Sequence, residues 1–70
     1  MSLWTRHSET GVLLRDRGGL VLERDGGGTW RLDAPSRSAY RLLGHRVRVD
    51  GLRVDFDVLS ADRVERLQLD

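Results

Sequence analysis

His45-Arg46-Val47-Arg48-Val49-Asp50-Gly51-Leu52-Arg53-Val54-Asp55-Phe56 decides the fold. Apolar and polar side chains alternate on both sides of an Asp-Gly pair, the strongest short-range signal for a β-hairpin. A two-residue turn at Asp50-Gly51 sets Val49 opposite Leu52, Val47 opposite Val54 and His45 opposite Phe56. These residues form one apolar row, and Arg46, Arg48, Arg53, Asp55 and Asp57 form the polar row behind it. The pattern therefore predicts strand four over residues 45–49 and strand five from residue 52 to 58, with Leu52, Val54, Phe56 and Val58 facing inward.

Toward the N-terminus, Gly44 fits the residue just past a helix end and Ser36 fits an N-cap. The segment between them, residues 37–43, is predicted as a short helix with Ala39, Leu42 and Leu43 on its inner face. Before it, strands are predicted over residues 10–15, 20–25 and 29–33. If Gly26, Gly27 and Gly28 form a three-residue loop, Arg24 faces Trp30, Glu23 faces Arg31 and Leu22 faces Leu32. Leu20, Leu22, Trp30 and Leu32 then share the inner face. Residues 1–9 read as a lead-in and residues 10–70 as a single domain. Beyond Val58 the alternation loses its parity, which predicts a bulge or turn within residues 60–62 and then a last strand or a helical turn.

Turn signals eight to ten residues apart mark short strands of a sandwich or barrel. With 70 residues, 39% of them apolar, there is material for one small core. The net charge is +1, and all twelve basic residues are arginine. The absence of Cys and Lys excludes disulfides, thiolate metal sites, a Cys nucleophile, a Schiff-base Lys and the P-loop Lys. The first ten residues lack the apolar run of about 7–15 residues that a signal peptide carries. Apolar runs reach only three residues, against the roughly 20 of a membrane-spanning helix. The expectation is a cytoplasmic protein with no membrane partner.

Strand, strand, strand, short helix, strand, strand is the element order of the OB-fold, a five-stranded Greek-key barrel. The segment from about Thr10 to Val64 resembles it, most clearly in Leu42-Leu43-Gly44-His45-Arg46-Val47-Arg48-Val49-Asp50-Gly51. This stretch looks like the helix-to-strand-four passage of many small OB barrels. Taken whole, the chain also resembles a family of short bacterial proteins known only as a domain of unknown function. That resemblance implies a fold and no chemistry. The expected fold class is thus all-β, a small OB-like barrel with one short helix between strands three and four. An SH3-like or incomplete five-stranded barrel is the alternative.

Four groups of residues are candidates for chemistry. The triglycine at Gly26-Gly27-Gly28 lacks a following helix start and a lysine, so it reads as a hairpin loop rather than a phosphate cradle. His7 and His45 lie far apart in sequence, and His45 reads as a half-buried imidazole on the apolar row rather than a metal ligand. Asp55 and Asp57 share a strand face with Arg46, Arg48 and Arg53, which favours cross-strand ion pairs over a shared cation. The arginines carry the most weight. Arg48 is placed directly across from Arg53, beside the loop between strands four and five, and Arg17, Arg24 and Arg31 extend the same surface. In OB-folds the face of strands two and three and the adjoining loops bind oligonucleotides and oligosaccharides. Against this stands a shortage of exposed aromatic rings for base stacking, with only Trp4 expected outside the core or helix, and with Arg24 expected over Trp30.

These residues predict a non-catalytic binding module with no cofactor and no metal. The expected ligand is anionic, such as single-stranded nucleic acid, held by Arg17, Arg24, Arg31, Arg48 and Arg53. The alternative is a protein–protein or self-associating module that docks through a strand edge.

Overall fold

The Asp-Gly pair does not turn the chain. In a computed structural model, which describes residues 4–33 and 36–67, one strand runs straight through it. The strands are β1 (Arg6–Asp16), β2 (Gly19–Arg24), β3 (Thr29–Asp33), β4 (Arg46–Asp55) and β5 (Val58–Arg66), with a 3-10 helix (Arg37–Leu42) between β3 and β4. The reversal between β4 and β5 falls at Phe56-Asp57, where Asp55 pairs with Val58. Without a turn at Gly51 the parity of β4 never flips. Val47, Val49, Gly51 and Arg53 all face inward, Leu52 and Val54 are half-buried, and Phe56 is exposed. The predicted inward row from Leu52 to Val58 is therefore out of phase. Arg48 and Arg53 lie on the same strand instead of facing each other.

Gly51 has a different task from the one the dipeptide suggests. It is not among the residues with positive φ. Its backbone lies so close to β5 that a Cβ would overlap the Ser60 carbonyl oxygen and approach Ala61 Cα to 3.0 Å. β5 bulges at the same point, because Asp50 pairs with Arg63 while Gly51 pairs with Ala61. The predicted irregularity in residues 60–62 is this bulge, and the chain returns to strand after it. Asp62 is the extra residue, and it swings β5 back into phase so that Val64 packs against the core.

The strands close into a barrel in the order β1-β2-β3-β5-β4, with β4 returning to β1. Among the described strands only β3 and β5 run parallel, over Arg31↔Val58 to Asp33↔Ser60. Closure excludes the incomplete-barrel alternative. The long β1 makes closure possible: its first half pairs with β4 and its second half with β2, overlapping at Gly11 and Val12. A Cβ at Gly11 would overlap the Glu23 carbonyl oxygen, so only glycine lets β2 approach there. β1 begins at Arg6, so residues 6–9 of the predicted lead-in are strand, while residues 1–3 lie outside the described residues.

β2 and β3 pair two residues away from the predicted register, with Leu22 opposite Trp30 and Val21 opposite Arg31. Gly27 and Gly28, at φ +98° and +82°, shape the turn, and the Arg24 N–H donates to the Gly28 carbonyl at 3.0 Å. Glu23 faces Thr29 rather than Arg31, and Arg24 does not face Trp30. A shift of two keeps parity, so Leu20, Leu22, Trp30 and Leu32 are all buried as the alternation requires. With Leu13, Ala39, Val47, Val49 and Leu59 they form the core.

The short helix is 3-10 rather than α. Ser36 occupies its N-cap position but gives no capping bond, since its hydroxyl meets that of Ser38 at 2.7 Å. Gly44, at φ +82°, ends it, and the Gly44 N–H donates to the Leu13 carbonyl at 2.7 Å, tying the helix to β1. Ala39 is buried, and Leu42 and Leu43 pack against the core as expected. His45 is exposed and not on the apolar row. Among the described residues no helix is long and apolar enough to cross a membrane.

Candidate ligand-binding site

The helix follows the C-terminal end of β3, and the candidate site lies at the other end of that strand. There the first residues of β3, the last of β4, the β4–β5 turn and the β2–β3 loop come together. Trp30 points inward by the alternation of β3, and Arg53 points inward because β4 keeps the parity of Val47 and Val49. Arg53 is only 6% exposed and Trp30 only 7%. The guanidinium carbon lies 5.8 Å from the centre of the Trp30 ring and 5.5 Å from that of Phe56, so the cation sits between two aromatic faces.

The β4–β5 turn folds back onto this cation. Arg53 Nε donates to the carbonyls of Asp55 at 3.2 Å and Phe56 at 3.1 Å, and Nη2 donates to the Phe56 carbonyl at 2.8 Å. The Asp55 carboxylate accepts the Phe56 N–H at 2.7 Å and fixes the turn. Arg53 Nη1 and Trp30 Nε1, both buried, have no hydrogen-bond partner among the described residues. Buried donors are rarely left unpaired, and a buried charge even less often. A cavity of about 250 Å³ opens at this end of the barrel, lined by Arg24, Thr29, Trp30, Arg53, Phe56 and Asp57 among others. Behind Trp30 runs a polar relay. The His7 ring lies 5.3 Å from the indole, its nitrogens reach Thr5 Oγ1 at 2.9 Å and Glu9 Oε2 at 3.4 Å, and Glu9 pairs with Arg24 at 3.0 Å.

The five predicted arginines are not one surface. Arg53 is buried, which corrects its place on the outer wall. Arg24 borders the cavity with its charge engaged by Glu9. Arg31 makes a two-pronged pair with Asp16 at 3.1 and 2.8 Å. That hydrogen bond, with a second from the Gly18 N–H, holds the Asp16 carboxyl below the usual carboxylate range. Arg31 also links two turns, since its guanidinium lies against Gly18 and its N–H donates to the Asp57 carbonyl at 2.8 Å. Arg17 is exposed in the β1–β2 turn with no ion pair among the described residues. Arg48 lies apart, bonded to Glu65 at 3.2 Å.

The other candidates also moved. Asp55 and Asp57 do not form the expected pairs with Arg46, Arg48 and Arg53. Arg46 instead bonds Asp25, which, with a further bond from Thr10 at 2.9 Å, holds the Asp25 carboxyl below its ordinary range. Among the described residues no group of three metal-binding side chains occurs. The larger hollow, about 590 Å³ over Arg6, His7, Ser8, Asp50, Asp62 and Arg63, already pairs Arg6 with Asp62 at 2.7 Å.

Phe56 is the residue of this candidate site that the hairpin reading hid. Placed in the core row, it stands 79% exposed at the tip of a turn. One signal could have found it: carrying the Val47-Val49 parity through Gly51 puts Arg53 inside and leaves Phe56-Asp57 to turn the chain.

Residues 10–67 match the family described as Protein of unknown function (DUF5818). The chain belongs to this family. The DUF5818 match takes in β2, β3, β4, β5 and most of β1, so Trp30, Arg53 and Phe56 all lie within it. No curated protein and no solved structure matches the chain.

Proposed function

We propose that this DUF5818 chain is an OB-like, non-catalytic binding module of the cytoplasm, and that its ligand is single-stranded nucleic acid. The observation that carries the reading is the Phe56 ring, exposed at the tip of the β4–β5 turn over the Arg53 guanidinium, which has no ion pair among the described residues. Exposed rings beside cations are how proteins hold unpaired bases and their phosphates. The strand order β1-β2-β3-β5-β4 supports the OB-like assignment, and in OB-folds the loops after strands one and four flank the oligonucleotide face. Arg31 joins these two turns here, with Arg17 at one end of the band and Phe56 at the other. Arg24 and Arg31 would exchange their carboxylate partners for phosphates, and Arg48 contributes long-range charge. The strand-edge version of a protein–protein module has less support, because a closed ring leaves few unpaired backbone groups.

The test is titration with oligothymidylate of about ten nucleotides, followed by amide shifts and repeated at rising salt. Affinity should fall with salt by a slope of about −0.7 per phosphate contacted. Phe56→Ala should weaken binding by about 1–3 kcal/mol with the fold intact. Unmoved amide resonances at low salt would reject the reading.

A further inference from the structure

We infer that the cavity beside Arg53 and Trp30 is a seat for one pyrimidine base bearing a keto oxygen, uracil or thymine, in preference to bases whose pairing edge carries an amino group. The inference rests on the nucleic-acid reading above and names the part of the ligand that enters the protein.

The buried groups dictate the class. An indole N–H and a guanidinium N–H can only donate, so Trp30 Nε1 and Arg53 Nη1 together call for an acceptor. A keto oxygen carries two lone pairs and can accept from both; adenine has none, and cytosine sets its one keto oxygen beside a ring nitrogen that carries no proton. A phosphate is disfavoured at this depth, because the acidic residue Asp57 lines the same cavity. Asp57 instead suits the ring N–H that neighbours the keto oxygens of uracil and thymine. At about 250 Å³ the space lies below the roughly 300–1,000 Å³ of sites for drug-sized ligands, and it suits a single ring. Trp30 and Phe56 supply the apolar walls. Both unpartnered donors are sealed from solvent, so entry requires Phe56, on its exposed turn, to swing outward and then to stack on the base.

The experiment uses the full chain carrying Trp4→Phe, which leaves Trp30 as the sole indole. Oligomers of about eight nucleotides of U, dT, A and C are titrated while the Trp30 indole N–H resonance is followed. U and dT should bind about tenfold tighter than A and C and move that resonance. Phe56→Ala, at an exposed position, should erase the preference while the circular dichroism spectrum stays that of the parent. Equal binding of all four, or a preference for A or C, overturns the pyrimidine-keto seat while leaving the nucleic-acid reading standing. Binding of none overturns both.

Discussion

Arg53 holds its guanidinium 5.8 Å from the centre of the Trp30 indole, inside the end of the barrel, with no carboxylate paired to it among the described residues. In a chain of 70 residues, whose margin of stability is small, an unpaired buried charge is a cost that packing must offset. Arg53→Met keeps an unbranched stem of similar reach and removes the charge. Its unfolding midpoint should equal or exceed the parent's in a thermal circular dichroism scan, while oligonucleotide binding is lost. A destabilisation beyond about 2 kcal/mol would mean that the bonds from Arg53 to the Asp55 and Phe56 carbonyls organise the turn.

Glycines in this barrel divide by what surrounds them. A methyl group at Gly11 or Gly51 would overlap the carbonyl oxygen of the neighbouring strand, so Gly11→Ala and Gly51→Ala should each destabilise by about 3 kcal/mol or more. A methyl group at Gly26 would meet nothing within 4 Å, and the residue has no positive φ, so Gly26→Ala should be neutral or stabilising by about 0.4–1 kcal/mol. Urea denaturation of the three variants checks the contrast. If Gly51→Ala unfolds like the parent, the close β4–β5 approach is wrong.

Trp30 is the largest side chain of the core and the inner wall of the cavity. Trp30→Ala should cost about 3–5 kcal/mol, a large share of what so small a domain has. The loss should appear as a lowered midpoint in chemical denaturation, or as a chain unfolded without denaturant.

Acid should weaken the barrel through two surface carboxylates. Asp16, hydrogen-bonded by Arg31, and Asp25, hydrogen-bonded by Arg46 and then Thr10, both titrate lower in the folded protein than in the unfolded chain. The unfolded state therefore binds more protons in this range. The stabilisation is full above the unfolded value of about 3.9 and is lost as pH falls through the folded values. Both groups are solvent-exposed, so the effect is modest and screened by salt. The double variant Asp16→Asn, Asp25→Asn should be less stable than the parent at neutral pH, and the gap should close as acid protonates the two folded-state carboxylates. Equal slopes of stability against pH in the two proteins would contradict this.

Much of the barrel was legible because alternation survives errors of even size. Leu20, Leu22, Trp30 and Leu32 were placed inside although the β2–β3 register is shifted by two residues, since a two-residue slip leaves each side chain on its own face. The site was not legible, because an odd error inverts every face. Taking Asp50-Gly51 as a turn moved Arg53 out and Phe56 in, and these two residues make the site. Asp-Gly reads as a turn because glycine accepts positive φ, but Gly51 is glycine for lack of room beside Ser60, a contact between strands that no local pattern records.

The parallel seam between β3 and β5 has a kinetic consequence. It spans three residue pairs and joins segments 27 positions apart in sequence, as in Arg31↔Val58, whereas each antiparallel hairpin can zip outward from its own turn. The β1–β4 ladder joins segments 34 to 46 positions apart but gains seven residue pairs for its closure cost, whereas this seam gains three, so the seam is the first to loosen. Breathing there would part Arg31 from Asp57 and widen the mouth beside Phe56, so the barrel's weakest join lies at the door its ligand would use.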